Sequence, residues 1–412
     1  MPVAAERRPA PRERRIRLLG DALGSSAEAH ERRLLAAARP ALPVLLWLGQ
    51  RARPLLKVPG LGWITADPVA ARRILQDAGR TTLLEEGGVG HLWAQVLGDW
   101  VLELFDGPGH LDLRTRSKGL FTDASSERLV AEAWGGLLDR ARERLEAGEE
   151  LDVAELARTL VGRMVVELLG MPETDDEGCR QVFHVGEELA ATALGSTADT
   201  HLSPAAIARA REIVERLTAG VPEGYRSAPA DTVLGRCREM GLSLQQTRGL
   251  ATLLMVAGTE TAASAMGRMA ALLIDTGEQH RLLAEPGLRE GAVRETLRVA
   301  SPAPLIGRAI SADLELDGRT LRAGERVLVL TWTANNAAGP FRVDRPYSPH
   351  HRQLWFGAGR HLCLGAPLAR AELGAMLDVL LGDGRPIEVV RRVPGRRVLI
   401  PAYASLVVRK AP

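Results

Sequence analysis

One cysteine stands where its chemistry would change. Cys363 lies within Leu354-Trp355-Phe356-Gly357-Ala358-Gly359-Arg360-His361-Leu362-Cys363-Leu364-Gly365-Ala366-Pro367, behind a turn with two glycines and just ahead of a helix-forming run through Leu373. A helix start offers unpaired N–H groups and about half a positive charge, which favours the thiolate, the form that ligates metals. Gly357, Gly359 and Gly365 allow backbone shapes that other residues resist and let a flat group lie close to the main chain, and Pro367 suits only a first helical turn. Such a loop suits a large planar metal ligand better than a substrate being cut.

Three further groupings carry usable chemistry. In Met255-Val256-Ala257-Gly258-Thr259-Glu260-Thr261, Glu260 is a charge amid an apolar run, expensive to bury unless it is paired, hydrated or working. Thr261 can bond back to a carbonyl one turn earlier and Gly258 loosens the helix, so together they could open a groove for oxygen and water. His110 and Arg114 lie four residues apart on one helix face, within reach of a single anion. Glu295 and Arg298 stand one turn apart, spaced for a charge-assisted pair. Each grouping also has a plain reading. A lone cysteine is usually a small buried hydrophobe, a helical threonine often bonds its own backbone, and surface ion pairs are worth ~0–1 kcal/mol. Zinc is the rival metal at Cys363, but it needs a second ligand pair, and Cys179 and Cys237 stand alone.

Taken together, these stretches resemble one family. Phe356, Gly357, Gly359, His361, Cys363 and Gly365 fit Phe-Gly-x-Gly-x-His-x-Cys-x-Gly and resemble the haem-binding loop of the cytochromes P450, the haem-thiolate monooxygenases. Residues 257–261 are similar to that family's Ala-Gly-x-(Asp/Glu)-Thr, residues 110–114 to its His-x-x-x-Arg, and residues 295–298 to its Glu-x-x-Arg. The resemblance implies a mainly α fold with small β-sheets (α+β), a helical prism around a buried haem b (iron protoporphyrin IX). Cys363 would be the axial ligand of the iron, with Phe356, Gly357, Gly365, Ala257 and Gly258 against the haem. His110, Arg114, Arg308 and His361 would hold its propionates. Glu260 and Thr261 would deliver protons to bound dioxygen. Glu295 and Arg298, completed by Arg345, would form a buried structural cluster behind the haem. The chain departs from the family pattern in a shorter meander ahead of Phe341, where Asn335-Asn336-Ala337-Ala338-Gly339-Pro340 stands in for a longer segment.

The resemblance also implies a substrate, a moderately apolar small molecule of the kind tailored in secondary metabolism, with Trp93, Val256, Pro304, Leu305, Ile306 and Tyr403 as pocket candidates. Electrons would arrive from an external ferredoxin and ferredoxin reductase. The docking side would be that of the cysteine, where Arg114, Arg116, Lys118, Arg352, Arg360 and Arg370 could gather positive charge for an acidic protein. The same machinery can couple, desaturate or epoxidise. A haem-binding sensor without turnover is the reading from another class, and the acid and alcohol at Glu260-Thr261 argue against it.

The elements that must position these groups can be read in outline. Residues 55–58 and 62–64, separated by Pro59-Gly60, predict a β-hairpin, and Asp67-Pro68 opens a helix through Leu75. The glycine-punctuated stretch from Thr81 to Leu104 predicts a loop with short helical pieces. From Ser126 to Met240 apolar residues recur at helical spacing, and a long apolar helix runs from Leu244 to Ile274. Short strands follow around residues 309–310, 314–316 and 327–330, with Asp317-Gly318 as a hairpin turn. Residues 398–404 predict a strand pair whose turn re-enters the pocket.

Composition narrows the class. Four hundred and twelve residues with no linker, repeat or low-complexity tract predict one domain over residues 16–412, behind a disordered basic arm at 1–15. A formal net charge of +2 selects no partner, and nucleic acid would require a clustered basic face. Three scattered cysteines fit a reducing cytoplasm rather than a disulfide framework. The apolar run from Leu34 to Leu48 is broken by Arg39, Pro40 and Pro43 and falls short of the ~20 residues of a membrane span.

Overall fold

The structure, a computed structural model, describes residues 26–51, 54–86, 88–101, 106–194, 201–347 and 354–412; the basic arm at 1–15 and Arg352 lie outside the described residues. Its axis is the helix Leu244–Thr276. Ser243 starts it with a capping box, accepting from the Gln246 N–H while the Gln246 side chain accepts from the Ser243 N–H, and Gly277 ends it in the left-handed conformation. Between these stops most of its residues are buried, because other helices cover nearly every face.

Two large apolar clusters grip this axis. One joins its second half to the helices Asp123–Glu146, Val153–Leu169, Arg289–Ala300 and Ala366–Leu381, with Trp134, Leu160, Met266, Met269, Leu373 and Met376 buried together. The other joins its first half to the helices Val89–Leu97, Asp176–Leu194 and Pro204–Leu217 through Trp93, Leu189, Ile213, Met255 and Val256. No described helix is long and apolar enough to cross a membrane.

The sheets are small. Five strands run in the order Leu56–Val58, Gly62–Thr65, Arg326–Val329, Ile306–Ile310 and Thr81–Thr82, with only the Gly62–Thr65/Arg326–Val329 pair parallel. Leu314–Leu316 and Arg319–Leu321 form a hairpin whose turn residues Asp317 and Gly318 both have positive φ (51° and 73°), as a two-residue turn of that kind requires. The third sheet corrects the expected end of the chain. Its long strands are Ile387–Pro394 and Tyr403–Lys410, and residues 395–402 are the link between them, not a strand pair. Pro401 has no N–H to offer a ladder, and the Ile400 N–H turns inward to donate to the Glu260 carboxylate at 3.2 Å.

Two buried charges expose what the packing tolerates. Arg268, in the long helix, is 0% exposed, and its guanidinium makes a two-pronged contact with the Glu31 carboxylate, 4% exposed, on the helix Ser26–Ala38. Nearby Asp275 accepts from both terminal nitrogens of Arg392 at 2.7 and 2.8 Å and contacts His30 at 2.9 Å, so the first described helix is tied to the axis and to the last sheet. Glu372, on the helix that follows Cys363, is enclosed without such an arrangement, and burial pushes its carboxyl up to about 8.

Two outcomes follow. Glu31→Ala leaves a buried guanidinium unpaired and should lower the unfolding free energy by about 3–5 kcal/mol in urea titrations, whereas Glu31→Met with Arg268→Leu should recover most of that loss. Glu372 holds its proton in the folded chain up to about pH 8 but releases it near the ordinary carboxylate range once unfolded. Its contribution is therefore complete at low pH and is lost as pH rises through the folded value. Unfolding free energy should fall at up to ~1.4 kcal/mol per pH unit across that window, and Glu372→Gln should flatten the profile.

Candidate active site

The cysteine loop is assembled by two glycines and a backbone latch. Gly357 and Gly359 both take φ of 72°. A Cβ at Gly359 would stand 2.4 Å from the Leu75 carbonyl, so only glycine lets the loop dock on the helix Pro68–Gln76. The Cys363 N–H donates to the Phe356 carbonyl at 2.9 Å, closing the loop just before the helix Ala366–Leu381. Arg114 reaches across from the helix Pro108–Ser117 and donates to the Leu362 carbonyl at 2.6 Å.

Cys363 is solvent-accessible, yet enough protein surrounds it that burial raises its thiol above the ordinary value. Its side chain thus faces a recess within the fold instead of the outer surface. A hydrogen bond from the Gly365 N–H to the sulfur and the charge of Arg114 oppose the rise without cancelling it. The expectation that the helix start alone would favour the thiolate is thus corrected. Burial outweighs the helix, and deprotonation would be left to a bound metal ion.

Around the loop stands a set of basic side chains. Arg308, on the strand Ile306–Ile310, is buried and donates to the Gly307 carbonyl at 2.8 Å; burial draws its guanidinium down to about 10, opposed by Asp106. His110 is also buried, with its ring 4.7 Å from that of His361. Burial, then the neighbouring His361, Arg114 and Arg360, push His110 down to about 4. Asp106 organises the group, contacting His361 at 3.0 Å and Arg360 at 2.6 Å. Burial works against its charge, but hydrogen bonds from His361, Thr82 and Arg360 hold it well below the ordinary carboxylate range. Sequence reading missed this role, since Asp106 and Arg360 are joined only by the fold.

Past its exposed first turn, the long helix is open at the residues singled out in the sequence. Ala257 and Gly258 are exposed between buried neighbours, and a Cβ at Gly258 would meet nothing within 4 Å. Thr261 is half-buried, and its hydroxyl donates to the Ala257 carbonyl at 2.9 Å. Glu260 points away into protein, where burial raises its carboxyl to about 7 despite the Ile400 N–H.

Behind the loop, Glu295 accepts from both Nε and Nη2 of Arg298 at 2.7 Å and from Arg345 Nε at 3.1 Å. Arg298 also donates to the carbonyls of Asn335, Gly339 and Pro340 at 2.9, 2.9 and 3.1 Å, so the short meander is clamped through its backbone. Of the pocket candidates, Trp93 and Val256 pack in one apolar cluster. Ile306 lies beside the cysteine loop, its Cδ1 3.9 Å from where a Gly357 Cβ would be. Pro304 accepts from the Trp332 N–H at 3.1 Å, and Leu305 packs toward Leu46 and Leu328. Tyr403 is placed elsewhere. It is buried beside Gly267, two turns past Glu260, and shares a small cavity with that acid. Of the surface cations proposed for docking, Arg116, Arg360 and Arg370 each pair with an aspartate, which weakens the patch as a simple positive field.

These residues fit a haem. Cys363 supplies a soft sulfur donor suited to iron. Arg308 and Arg114 supply charge and His110 and His361 supply ring N–H groups able to hold two carboxylates, and the side chain missing at Gly258 leaves room for a flat ring against the helix.

The cytochrome P450 family profile matches residues 287–383. The chain is 33% identical to cytochrome P450 105A3 of Streptomyces carbophilus over 298 residues, covering 69% of this chain and 65% of that protein. It is 33% identical to the mycinamicin IV hydroxylase/epoxidase of Micromonospora griseorubida over 307 residues, 72% of this chain and 73% of that one. The crystal structure of CalO2 shares the fold with a TM-score of 0.75 at 24% identity, covering 92% of this chain and 97% of that one. With 33% of residues shared over 72% of its length, this chain belongs to the cytochrome P450 family, the haem-thiolate monooxygenases.

Proposed function

We propose that the chain binds haem b through Cys363 and oxidises a moderately apolar small molecule in secondary metabolism, with hydroxylation or epoxidation as the outcome. The observation that carries this reading is the pairing of two features: a cysteine whose sulfur receives the Gly365 N–H, and a helix opened at Ala257, Gly258 and Thr261 beside the buried acid Glu260. The likeness to a mycinamicin IV hydroxylase/epoxidase keeps epoxidation beside hydroxylation. Bound haem supplies oxygen activation and insertion into a C–H or C=C bond.

The chain's own residues supply the rest. Cys363 would hold the haem iron, and Arg114 and Arg308, with the ring N–H groups of His110 and His361, would hold the acidic edge. Thr261 offers a hydroxyl at the open stretch of the helix, and Glu260, raised to about 7, can both take and release a proton near neutral pH. Electrons come from a ferredoxin and its reductase, docking on the Arg114 side of the loop in the cytoplasm, with Leu111 and Leu362, both exposed, adding apolar contact to the surviving charge.

The reduced protein under carbon monoxide should show the far-shifted Soret band of thiolate ligation, and Cys363→Ala should lose it; a histidine-type band in the parent chain would refute the assignment. Thr261→Ala should keep that band while diverting most of the electrons to hydrogen peroxide, measured as peroxide released per reducing equivalent. Equal coupling in parent and variant would remove Thr261 from proton delivery.

A further inference from the structure

The helix Val89–Leu97, which carries Trp93, is too short to stand by itself. It has 9 residues, fewer than the ~12–15 at which an isolated helix becomes marginal in water, and Gly88 starts it without a side-chain cap. A helix end also leaves four carbonyls without partners. Here all four are met, and by different elements. The Gly98 N–H donates to the Ala94 carbonyl at 2.8 Å, and the Trp100 indole N–H donates to the Leu97 carbonyl at 2.7 Å. The two carbonyls between them accept from one guanidinium on a neighbouring helix: Arg211, of Pro204–Leu217, donates to Gln95 at 3.1 Å and to Val96 at 3.0 Å.

The partners of this helix end are themselves fixed. A Cβ at Gly249, on the long helix, would stand 2.0 Å from Trp100 Cη2, so the indole fills the space of a side chain that is absent there. The Leu202 N–H, just ahead of Pro204–Leu217, donates to the Gln95 side chain at 2.9 Å and draws the same two elements together. A surface arginine on a helix usually pairs with a carboxylate one turn away. For Arg211 that carboxylate is Glu215, and it pairs with Arg248 instead. Arg211 is left to the two carbonyls. Trp93, on the helix so capped, is 4% exposed and packs in one apolar cluster with Val256, the residue before the open stretch at Ala257 and Gly258.

We propose that Arg211 is a positioning residue for ligand selectivity: by capping Gln95 and Val96 from the helix Pro204–Leu217, it holds the last turn of Val89–Leu97 and so fixes Trp93 as a preformed apolar wall. It acts through Trp93 and does not touch substrate. With the cap in place, the turn from Ala94 to Leu97 is stable against its neighbour. With the cap removed, two buried-side carbonyls lose their donor, and a helix of this length frays. A wall ordered before the ligand arrives costs no ordering entropy on binding, and that saving goes only to ligands large enough to reach it. Arg211 therefore sets how strongly the site prefers a large apolar ligand over a small one.

The inference rests on the function proposed above, and its test separates the two. Hydrogen exchange of the amides from Trp93 to Gly98 is followed in the ferric protein and in the haem-free chain, with the helix Asp123–Glu146 as internal control. Arg211→Ala should speed their exchange roughly ten-fold, as expected for the loss of charge-assisted bonds, and leave the control unchanged. Arg211→Lys keeps the charge but not the planar fork, so it should restore only part of the protection. Trp100→Phe keeps a ring at Gly249 while removing the bond to Leu97, and should loosen the same turn. In the ferric protein, imidazole and 4-phenylimidazole are titrated optically as a small and a large probe. The preference for the phenyl compound should fall about five-fold in Arg211→Ala, with imidazole affinity and the carbon monoxide spectrum unchanged. The inference is overturned if exchange from Trp93 to Gly98 is the same in Arg211→Ala as in the parent, or if exchange rises and the preference stays. A parent chain without thiolate-type haem would instead overturn the proposed function, while exchange in the haem-free chain would still decide whether Arg211 holds this turn.

Discussion

A sulfur that burial keeps protonated, at the position proposed to ligate a metal as thiolate, is the constraint around which the loop is arranged. Enclosure alone raises the Cys363 thiol, and only the Gly365 N–H and the charge of Arg114 pull the other way. These two groups arrive from different directions, one from the same loop and one from the helix Pro108–Ser117, which also donates to the Leu362 carbonyl. The loop is therefore fixed on both flanks of the cysteine before any metal is considered. That is the preorganisation a metal ligand needs, since a donor free to retreat would not hold its geometry.

The long helix has a divided task. On one side it must be open, and small residues make it so at Ala257 and Gly258. On the others it must be closed, and there it buries unusually costly groups: Glu260 against the link of the last sheet, Arg268 against Glu31. Charges buried with partners specify position more than they stabilise. Glu31 and Arg268 fix where the first described helix lies, and with it Arg39, one of the charges acting on Glu260. The Glu260 carboxyl is thus tuned by elements at both ends of the chain.

The Glu295 cluster plays the corresponding part on the cysteine side. Arg298 spends its donors on one carboxylate and three backbone carbonyls, tying the end of the helix Thr331–Asn336 to the short meander that follows it. Backbone carbonyls inside a protein need partners, and a planar guanidinium can serve several at once. The shortened segment ahead of Phe341 is accommodated by this clamp, with Arg345 closing it from the far side.

The sequence by itself determined the chemistry that depends on local spacing. Glycines at 357 and 359, a cysteine before a helix, Thr261 four residues after Ala257, and Glu295 one turn before Arg298 are all relations within a few residues, and helix geometry or turn sterics translate them directly into contacts. The apolar run from Leu244 to Ile274 made the long helix legible, and the structure adds its cap at Ser243 and its stop at Gly277. Tertiary structure alone decided what depends on distant segments meeting. It made Asp106 the anchor of Arg360 and His361, placed Glu187 and Tyr403 around one cavity with Glu260, and turned residues 395–402 from an expected strand pair into a link that caps that acid. It also reversed the balance at Cys363, because the helix start is a property of sequence whereas the depth of burial, which outweighs it, is a property of the whole packed chain.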